Sequence, residues 1–193
     1  MLFEKTGPYL LHPPRNLKLR SAWVFFHDAH LELLRFNPRS GNARMTLRST
    51  HISEHYGLAP ETSYQLDFIN INFLSALTTR SKRNAPAPRD VKGADDKRRE
   101  WFSRVRIQSM GWNAFERRIA NDDDAETYDG DFITSPEVTS FQILVSTGGG
   151  NEWHQAYISS QSVACARSDG WEGSFDQLVA MGGAYWEAFG NGE

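Results

Sequence analysis

Cysteine is almost absent from this chain. Cys165 is the only one among 193 residues, so no disulfide can form within the chain and nothing favours an oxidising compartment. It lies among small residues, in Ser-Val-Ala-Cys-Ala, a run that fits a closely packed strand. A reactive thiol needs an accessible, electropositive setting, and only Arg167 adds positive charge close by in the sequence. We therefore predict a buried, unreactive cysteine.

Long apolar runs are absent as well. No stretch approaches the roughly 20 apolar residues that a membrane-spanning helix needs. The N-terminal sequence Met-Leu-Phe-Glu-Lys-Thr-Gly-Pro breaks its apolar runs too early for a signal peptide. These two absences predict a cytoplasmic protein without a membrane partner.

Charge is unevenly distributed along a chain whose formal net charge is only −3. Residues 107–193 contain 14 Asp and Glu against 3 Lys and Arg. Residues 80–97 are basic, have few apolar side chains and include Pro86 and Pro88, a composition typical of a solvated connection. We predict one domain over residues 1–193, in which a flexible loop at 80–97 joins two halves that share a core.

The first half of the chain has mainly strand patterns. Residues 23–26, Trp-Val-Phe-Phe, form a β-favouring run. Apolar residues at 31–36 and an alternating run at 43–48 flank turn-forming residues, which predicts a hairpin. Residues 64–68 alternate again, and the change of pattern after Ile69 predicts either a bend in the strand or a short helix around 73–77.

The second half adds a strand with one polar face around Trp101 to Gln108, then a hairpin and a helix. Residues 141–147 and 153–159 flank glycine-rich turn residues, which predicts a second hairpin. Ser174 and Gln177 match a capping box at the start of a helical apolar stripe that extends to Phe189. The sequence therefore predicts a β-rich α+β fold, a curved antiparallel sheet with a C-terminal amphipathic helix packed on it.

Gly182 lies on the apolar stripe of that C-terminal helix. A glycine within a helix costs about 1 kcal/mol relative to alanine, so its presence there needs a reason. We expect that it lets the helix approach the sheet closely.

A short histidine motif raises the alternative of a metal-dependent hydrolase. His51-Ile-Ser-Glu-His55 resembles the H-x-x-E-H motif of one class of zinc peptidases, in which two histidines on one helix face bind the metal and Glu54 would activate water. No third ligand offers itself downstream. A second pair, His27 and His30, converges only if the chain turns there, because positions three apart on a strand face opposite sides. We expect neither a metal nor a cofactor.

Residues 52–69 support a second alternative. The segment resembles a helix-turn-helix with Gly57 in the turn, which would make the protein a DNA-binding regulator. Its reading helix would carry Glu61 and Asp67 without any lysine or arginine, whereas nucleic-acid affinity depends on neutralising phosphates. A strand over residues 64–68 is the favoured interpretation of the same residues, and a nucleic-acid partner is the less favoured one.

The densest acidic cluster lies in residues 121–131. Its spacing does not match a calcium-binding EF-hand loop, so we predict a solvated loop that docks a basic protein surface. The predicted binding residues are Asp122, Asp123, Asp124, Glu126, Asp129 and Asp131.

These observations favour a non-catalytic interaction protein over an enzyme. No nucleophile, base or metal constellation converges in the sequence. The chain has 12 Phe, 6 Trp and 6 Tyr, enough for an aromatic interface beside an acidic surface. We expect a protein partner, with the chain acting as a small inhibitor or an adaptor that binds a basic surface through its acidic C-terminal half.

Overall fold

Antiparallel strands dominate the fold. The computed structural model describes residues 20–81, 105–134, 139–148 and 152–191. The strands in these ranges are β1 Arg20–Ser21, β2 Ala29–Asn37, β3 Asn42–Arg48, β4 Ser63–Ser81, β5 Val105–Met110, β6 Glu126–Thr134, β7 Thr139–Thr147, β8 Glu152–Arg167 and β9 Glu172–Gly173. The helices there are α1 Trp23–Phe26, α2 Thr50–His55, α3 Trp112–Ala120 and α4 Phe175–Asn191. The predicted β-rich α+β fold, with a C-terminal helix on a curved antiparallel sheet, is confirmed.

Six strands form a closed ring. Their order is β4-β3-β2-β6-β7-β8, and β8 pairs back with β4, each pair being antiparallel. The join between β2 and β6 is short, with Ala29 opposite Thr127 and His30 opposite Glu126. Strands β5 and β9 extend the sheet beyond the ring, on β4 and β8.

Strand β4 takes part in three pairings. Residues 63–68 lie between β3 and β8, whereas residues 76–81 pair with β5 in place of β3. Between these parts the register with β8 shifts, and Asn70 has a φ of 53°, a left-handed conformation that Asn adopts more readily than most residues. The predicted bend is therefore present, and the alternative of a short helix at 73–77 is wrong.

The inside of the ring is the core. Alternate residues of β3, β4 and β7 are buried there: Ala43, Met45, Leu47, Tyr64, Leu66, Phe68, Phe141, Ile143 and Val145. Phe141 makes edge-to-face contacts with Phe68 at 5.2 Å and with Phe175, at the start of α4, at 4.7 Å between ring centroids. The C-terminal helix therefore packs into the same core as the sheet.

Three local predictions are confirmed. Strands β2 and β3 form the first hairpin, and β7 and β8 form the second. The helix α4 begins with the predicted capping box, since the Ser174 N–H donates to Oε1 of Gln177 at 2.7 Å and the Gln177 N–H donates to Oγ of Ser174 at 3.3 Å.

The strand predicted at residues 23–26 is instead the short helix α1. Phe25 and Phe26 are both 0% exposed, whereas successive residues of a strand point to opposite faces of the sheet. The Ala22 N–H anchors the helix by donating to the carbonyl oxygen of Gly130 at 2.7 Å. Gly130 also leaves space for Phe26, because a Cβ there would lie 2.5 Å from its ring. Burial has outweighed β propensity.

Gly182 permits a close approach, but not to the sheet as predicted. A Cβ at this position would lie 2.3 Å from the carbonyl oxygen of Val24. The neighbour is therefore the backbone of α1, and the glycine lets two helices cross closely.

The predicted flexible loop at 80–97 lies outside the described residues, apart from 80 and 81, which end β4. None of the helices in the described ranges has the length and apolar content that a membrane crossing requires.

Candidate functional site

Helices α1, α2 and α4 bring aromatic and histidine side chains to one face of the molecule. We define this histidine–aromatic face by Trp23, His27, His51, His55, Tyr56, Tyr185, Trp186 and Phe189. Each ring lies within 6.0 Å of another, measured between centroids. The series is continuous from Trp23 on the first described helix to Phe189 near the end of the last.

The indole ring of Trp186 contacts two residues of α1. Its Nε1–H donates to the carbonyl oxygen of Val24 at 2.9 Å, and its ring lies 5.0 Å from that of Trp23. Gly182, one helical turn earlier, crosses Val24 in direct contact. These contacts hold α4 against α1, so the face is built on rigid helices.

His51 packs against α4. Its ring lies 4.8 Å from Tyr185 and 5.7 Å from Trp186, and its Nε2 shares a 3.2 Å hydrogen bond with Oγ of Ser49. Burial lowers the pKa of His51, an effect that the charge of Asp28 partly offsets. A neutral imidazole at pH 7 adds aromatic surface to the face without adding positive charge.

His27 connects the face to the sheet. Its ring lies 4.6 Å from Trp23 and 5.0 Å from Tyr128 of β6, and its Nε2 lies 3.4 Å from Oδ2 of Asp28. Asp28 has a φ of 55°, a left-handed conformation that turns the chain from α1 into β2. This turn leaves the Asp28 carboxylate at the surface.

The outer edge of the face is open to water. Phe189 is 63% exposed and Tyr56 is 41% exposed, and these are the exposed large hydrophobic residues in the described part of the chain. Phe189 stacks on Tyr185 at 6.0 Å, and the Tyr56 hydroxyl donates to the carbonyl oxygen of Met181 at 3.4 Å. Exposed rings of this size, collected on one face, are typical of a binding surface.

In the described part of the chain, the charged groups at and beside the face are carboxylates. Helices α1, α2 and α4 contain no lysine or arginine. Asp28, Glu54 and Glu187 are exposed at or beside the face, and Asp28 and Glu54 lie close enough to His51 to influence its pKa. The face therefore combines apolar rings with carboxylates.

The face contains both histidines of the predicted zinc motif. His51 and His55 lie on α2, as a zinc motif would require, whereas His27 lies in the face and His30 lies within β2. Within the described ranges, no group of three or more His, Cys, Asp or Glu side chains is arranged to hold a metal ion.

The helix-turn-helix alternative lacks its second helix. Residues 50–55 form α2 and Gly57 turns with a φ of 65°. The segment that would be the reading helix, up to residue 69, instead enters β4 at Ser63. The strand interpretation of residues 64–68 is confirmed.

The predicted acidic binding residues occupy two settings. The turn after α3 contains Asp122, Asp123 and Asp124, whereas strand β6 contains Glu126, Asp129 and Asp131. A single solvated loop is therefore wrong for the last three. The carboxylate of Asp122 is used for hydrogen bonds within the fold. Its Oδ2 accepts from the Gly148 N–H at 2.6 Å, and its Oδ1 accepts from the Asp124 N–H at 3.1 Å. Asp123 and Asp124 are exposed in this turn.

Nothing in the sequence singles out His154, which is 1% exposed. Its Nε2 shares a 2.9 Å hydrogen bond with Oγ1 of Thr147, and its Nδ1 has no hydrogen-bond partner in the described structure. Burial lowers the pKa of His154, with the charge of Glu152 acting in the opposite direction. Its enclosure makes it part of the fold rather than a contact for a ligand.

The histidine–aromatic face was not predicted as a unit. Tyr185, Trp186 and Phe189 were assigned to the apolar stripe that packs on the sheet, and Phe189 does not pack there. The available signal was chemical, because the stripe changes from aliphatic residues to tyrosine and tryptophan, which carry a polar group suited to a half-exposed position.

Comparisons of this chain with protein-family models, with curated proteins and with solved structures find no match in any of the three. The function therefore has to be inferred from the geometry and charge of the face itself.

Proposed function

We propose that this chain is a non-catalytic interaction protein that binds a basic segment of a protein partner on its histidine–aromatic face. The observation that carries the proposal is the exposure of Phe189 and Tyr56, which lie on the same face and are linked through the ring of Tyr185 and that of His55. Aromatic residues are enriched in protein interfaces and often supply most of the binding energy.

The charge of the face selects the kind of partner. Lysine and arginine side chains bind over Trp and Tyr rings, with about 0.5–2 kcal/mol per contact depending on exposure. Carboxylates at Asp28, Glu54 and Glu187 would receive neighbouring positive charges. An acidic partner would meet these carboxylates without any lysine or arginine from α1, α2 or α4 to balance them.

The aspartates in the turn after α3 also favour a basic protein partner. Asp123 and Asp124 are exposed at the end of α3, and exposed carboxylates attract a basic partner during approach more than they add to final affinity. A small inhibitor or an adaptor would use such a surface. A cytoplasmic location belongs to the proposal, since the single thiol of Cys165 calls for no oxidising compartment.

A peptide-binding experiment tests the face. A labelled Lys/Arg-rich peptide and a Glu-rich peptide of the same length are titrated with the protein, and anisotropy is measured. We expect the basic peptide to bind and the acidic one not to. Phe189→Ala and Glu187→Lys should each weaken binding about fivefold or more. Phe189 is mostly exposed, so its replacement should leave the fold intact.

Glu172→Lys provides the matched control. Glu172 is exposed in β9, before α4 begins, and Phe189 lies about 21 Å along that helix from its first residue at 1.5 Å per residue. Its reversal should change the affinity little. Equal binding of both peptides, or an equal loss from Glu172→Lys and Glu187→Lys, would contradict the proposal.

A second arm separates a protein partner from DNA. Reversing Asp123 and Asp124 to Lys together should slow association with the basic peptide, with a smaller effect at high salt, because screening acts over about 8 Å at physiological ionic strength. The wild-type chain should not bind duplex DNA tightly at physiological salt. Tight DNA binding by the wild-type chain, strengthened in the variant, would favour the nucleic-acid alternative instead.

A further inference from the structure

A cleft of about 810 Å³ lies at the hairpin formed by β2 and β3. The lining residues that carry the argument are Leu33, Arg35, Arg39, Arg44, Asp67 and Ile69. None of them belongs to the histidine–aromatic face, and this cleft is a separate feature of the molecule.

Arg44 is held in a fixed position inside the cleft. Its Nε donates to Oδ1 of Asp67 at 2.7 Å and its Nη2 to Oδ2 at 3.1 Å, a two-point ion pair across neighbouring strands. Gln65 donates to Oδ2 of Asp67 at 2.7 Å and steadies the carboxylate. The other N–H groups of Arg44 remain unused by Asp67, and the guanidinium is ordered before any ligand arrives.

Two more guanidinium groups, those of Arg35 and Arg39, line the same cleft. Arg35 lies directly opposite Arg44 in the register of β2 and β3, and like charges in that arrangement destabilise a sheet. Arg39 lies in the turn of the hairpin. Neither side chain forms an ion pair with a carboxylate in the described part of the chain. Asp67 balances one of the three arginines, which leaves two positive charges unmatched among the residues that the structure describes.

We infer that this cleft binds a phosphate monoester attached to an apolar body. Two unmatched guanidinium charges suit a dianion, and the planar fork of arginine fits phosphate oxygens in pairs. Leu33 and Ile69 are only half-buried at the same cleft and would contact the apolar part of the ligand. The repulsion between Arg35 and Arg44 is then relieved when the ligand is bound.

Phenyl phosphate is the probe, with phenol, benzoate and inorganic phosphate as comparisons. Binding is measured by calorimetry and by the ¹⁵N-edited Nε–H signals of the arginines. We expect phenyl phosphate to bind most tightly and to shift the signals of Arg35 and Arg44. Arg35→Gln should weaken it about tenfold or more, as loss of a charge-assisted contact does.

Arg48→Gln is the matched control. Arg48 lies on β3 as Arg44 does, but it pairs with Glu32 at 3.7 Å and does not line the cleft. It should leave the affinity unchanged, as should Phe189→Ala on the other face. An equal loss from Arg48→Gln would reveal unspecific surface attraction and overturn the inference. Equal affinity for benzoate, or an unmoved Arg44 signal at saturation, would overturn it as well.

Discussion

The indole N–H of Trp186 donates to the carbonyl oxygen of Val24 at 2.9 Å, across a separation of 162 residues. Gly182, one turn earlier on the same helix, meets the same carbonyl oxygen. Val24 is therefore the point at which the last helix docks on the first described one. Because both contacts are made to the backbone of α1, the docking can be altered without changing any ring of the face.

Two neighbouring glycines of α4 should respond in opposite directions to the same substitution. Gly182→Ala places a Cβ 2.3 Å from the Val24 oxygen and should lower the free energy of unfolding by about 1–3 kcal/mol. At Gly183 nothing lies within 4 Å of the added Cβ, so Gly183→Ala should raise it by up to about 1 kcal/mol through helix propensity. Urea denaturation of both variants provides the measurement. Changes of the same sign would mean that α4 does not dock as described.

Buried His154 should make the protein less stable in acid. Its pKa in the folded state lies below the unfolded value of about 6.5, so folding favours the neutral ring. The stability that this contributes is complete above about pH 6.5 and is lost as the pH falls through the folded pKa. His154→Gln should therefore show a smaller loss of unfolding free energy between about pH 7 and pH 5. The pKa of His51 is lowered as well, so His51→Gln should also reduce the dependence of unfolding free energy on pH. An unchanged pH dependence in both variants would contradict the assignment.

Cys165 should be inert until the protein opens. It is 4% exposed, and burial, assisted by the charge of Asp67, raises the pKa of its thiol to about 12. At about pH 8 its thiolate fraction is then roughly a thousandfold below that of an ordinary cysteine. Reaction with a disulfide reagent in native buffer and in urea measures the difference at a single site. A native rate within about tenfold of the denatured rate would show that the sheet is open around Cys165.

The cross-strand pair of Arg35 and Arg44 should lower stability when no ligand is bound. Arg35→Gln removes the repulsion and should raise the unfolding free energy by a few tenths of a kcal/mol. Arg44→Gln breaks the ion pair with Asp67 and should lower it by up to about 1 kcal/mol. Both changes should shrink in high salt. Denaturation at two salt concentrations tests the signs, and a loss of stability in Arg35→Gln would mean that this arginine is already paired.

Local patterns predicted the fold where neighbouring residues decide the structure. Apolar and polar residues alternate over residues 43–48 because one side of β3 faces the core. The capping box at Ser174 needs only two residues that are three positions apart. The prediction for residues 23–26 was wrong because their structure is decided by a residue that is distant in sequence. Gly130 provides the space that Phe26 fills in the helix. β propensity describes a half-buried sheet surface, and this segment does not lie on one.

The candidate sites were beyond sequence reasoning because they are assembled from distant parts of the chain. His27, His51 and Trp186 meet only after α4 docks on α1. Arg35, Arg44 and Asp67 form a row only once three strands have paired in register. The acidic cluster was visible because its members lie within ten residues of one another in the sequence. For the same reason it did not reveal that Asp122 is committed to the turn at Gly148.

The pairing of β4 with β8 has a consequence for how the chain acquires its structure during synthesis. Tyr64 pairs with Arg167 and Thr79 with Trp153. Strand β4 is therefore synthesised well before β8, the strand with which it pairs. Until β8 emerges from the ribosome, β4 presents an open edge of backbone N–H and C=O groups, the kind of edge that recruits other chains. Contacts of such long range also close slowly. A ribosome that stalls or terminates before residue 153 would therefore release a product that aggregates, whereas the finished chain protects its own edge.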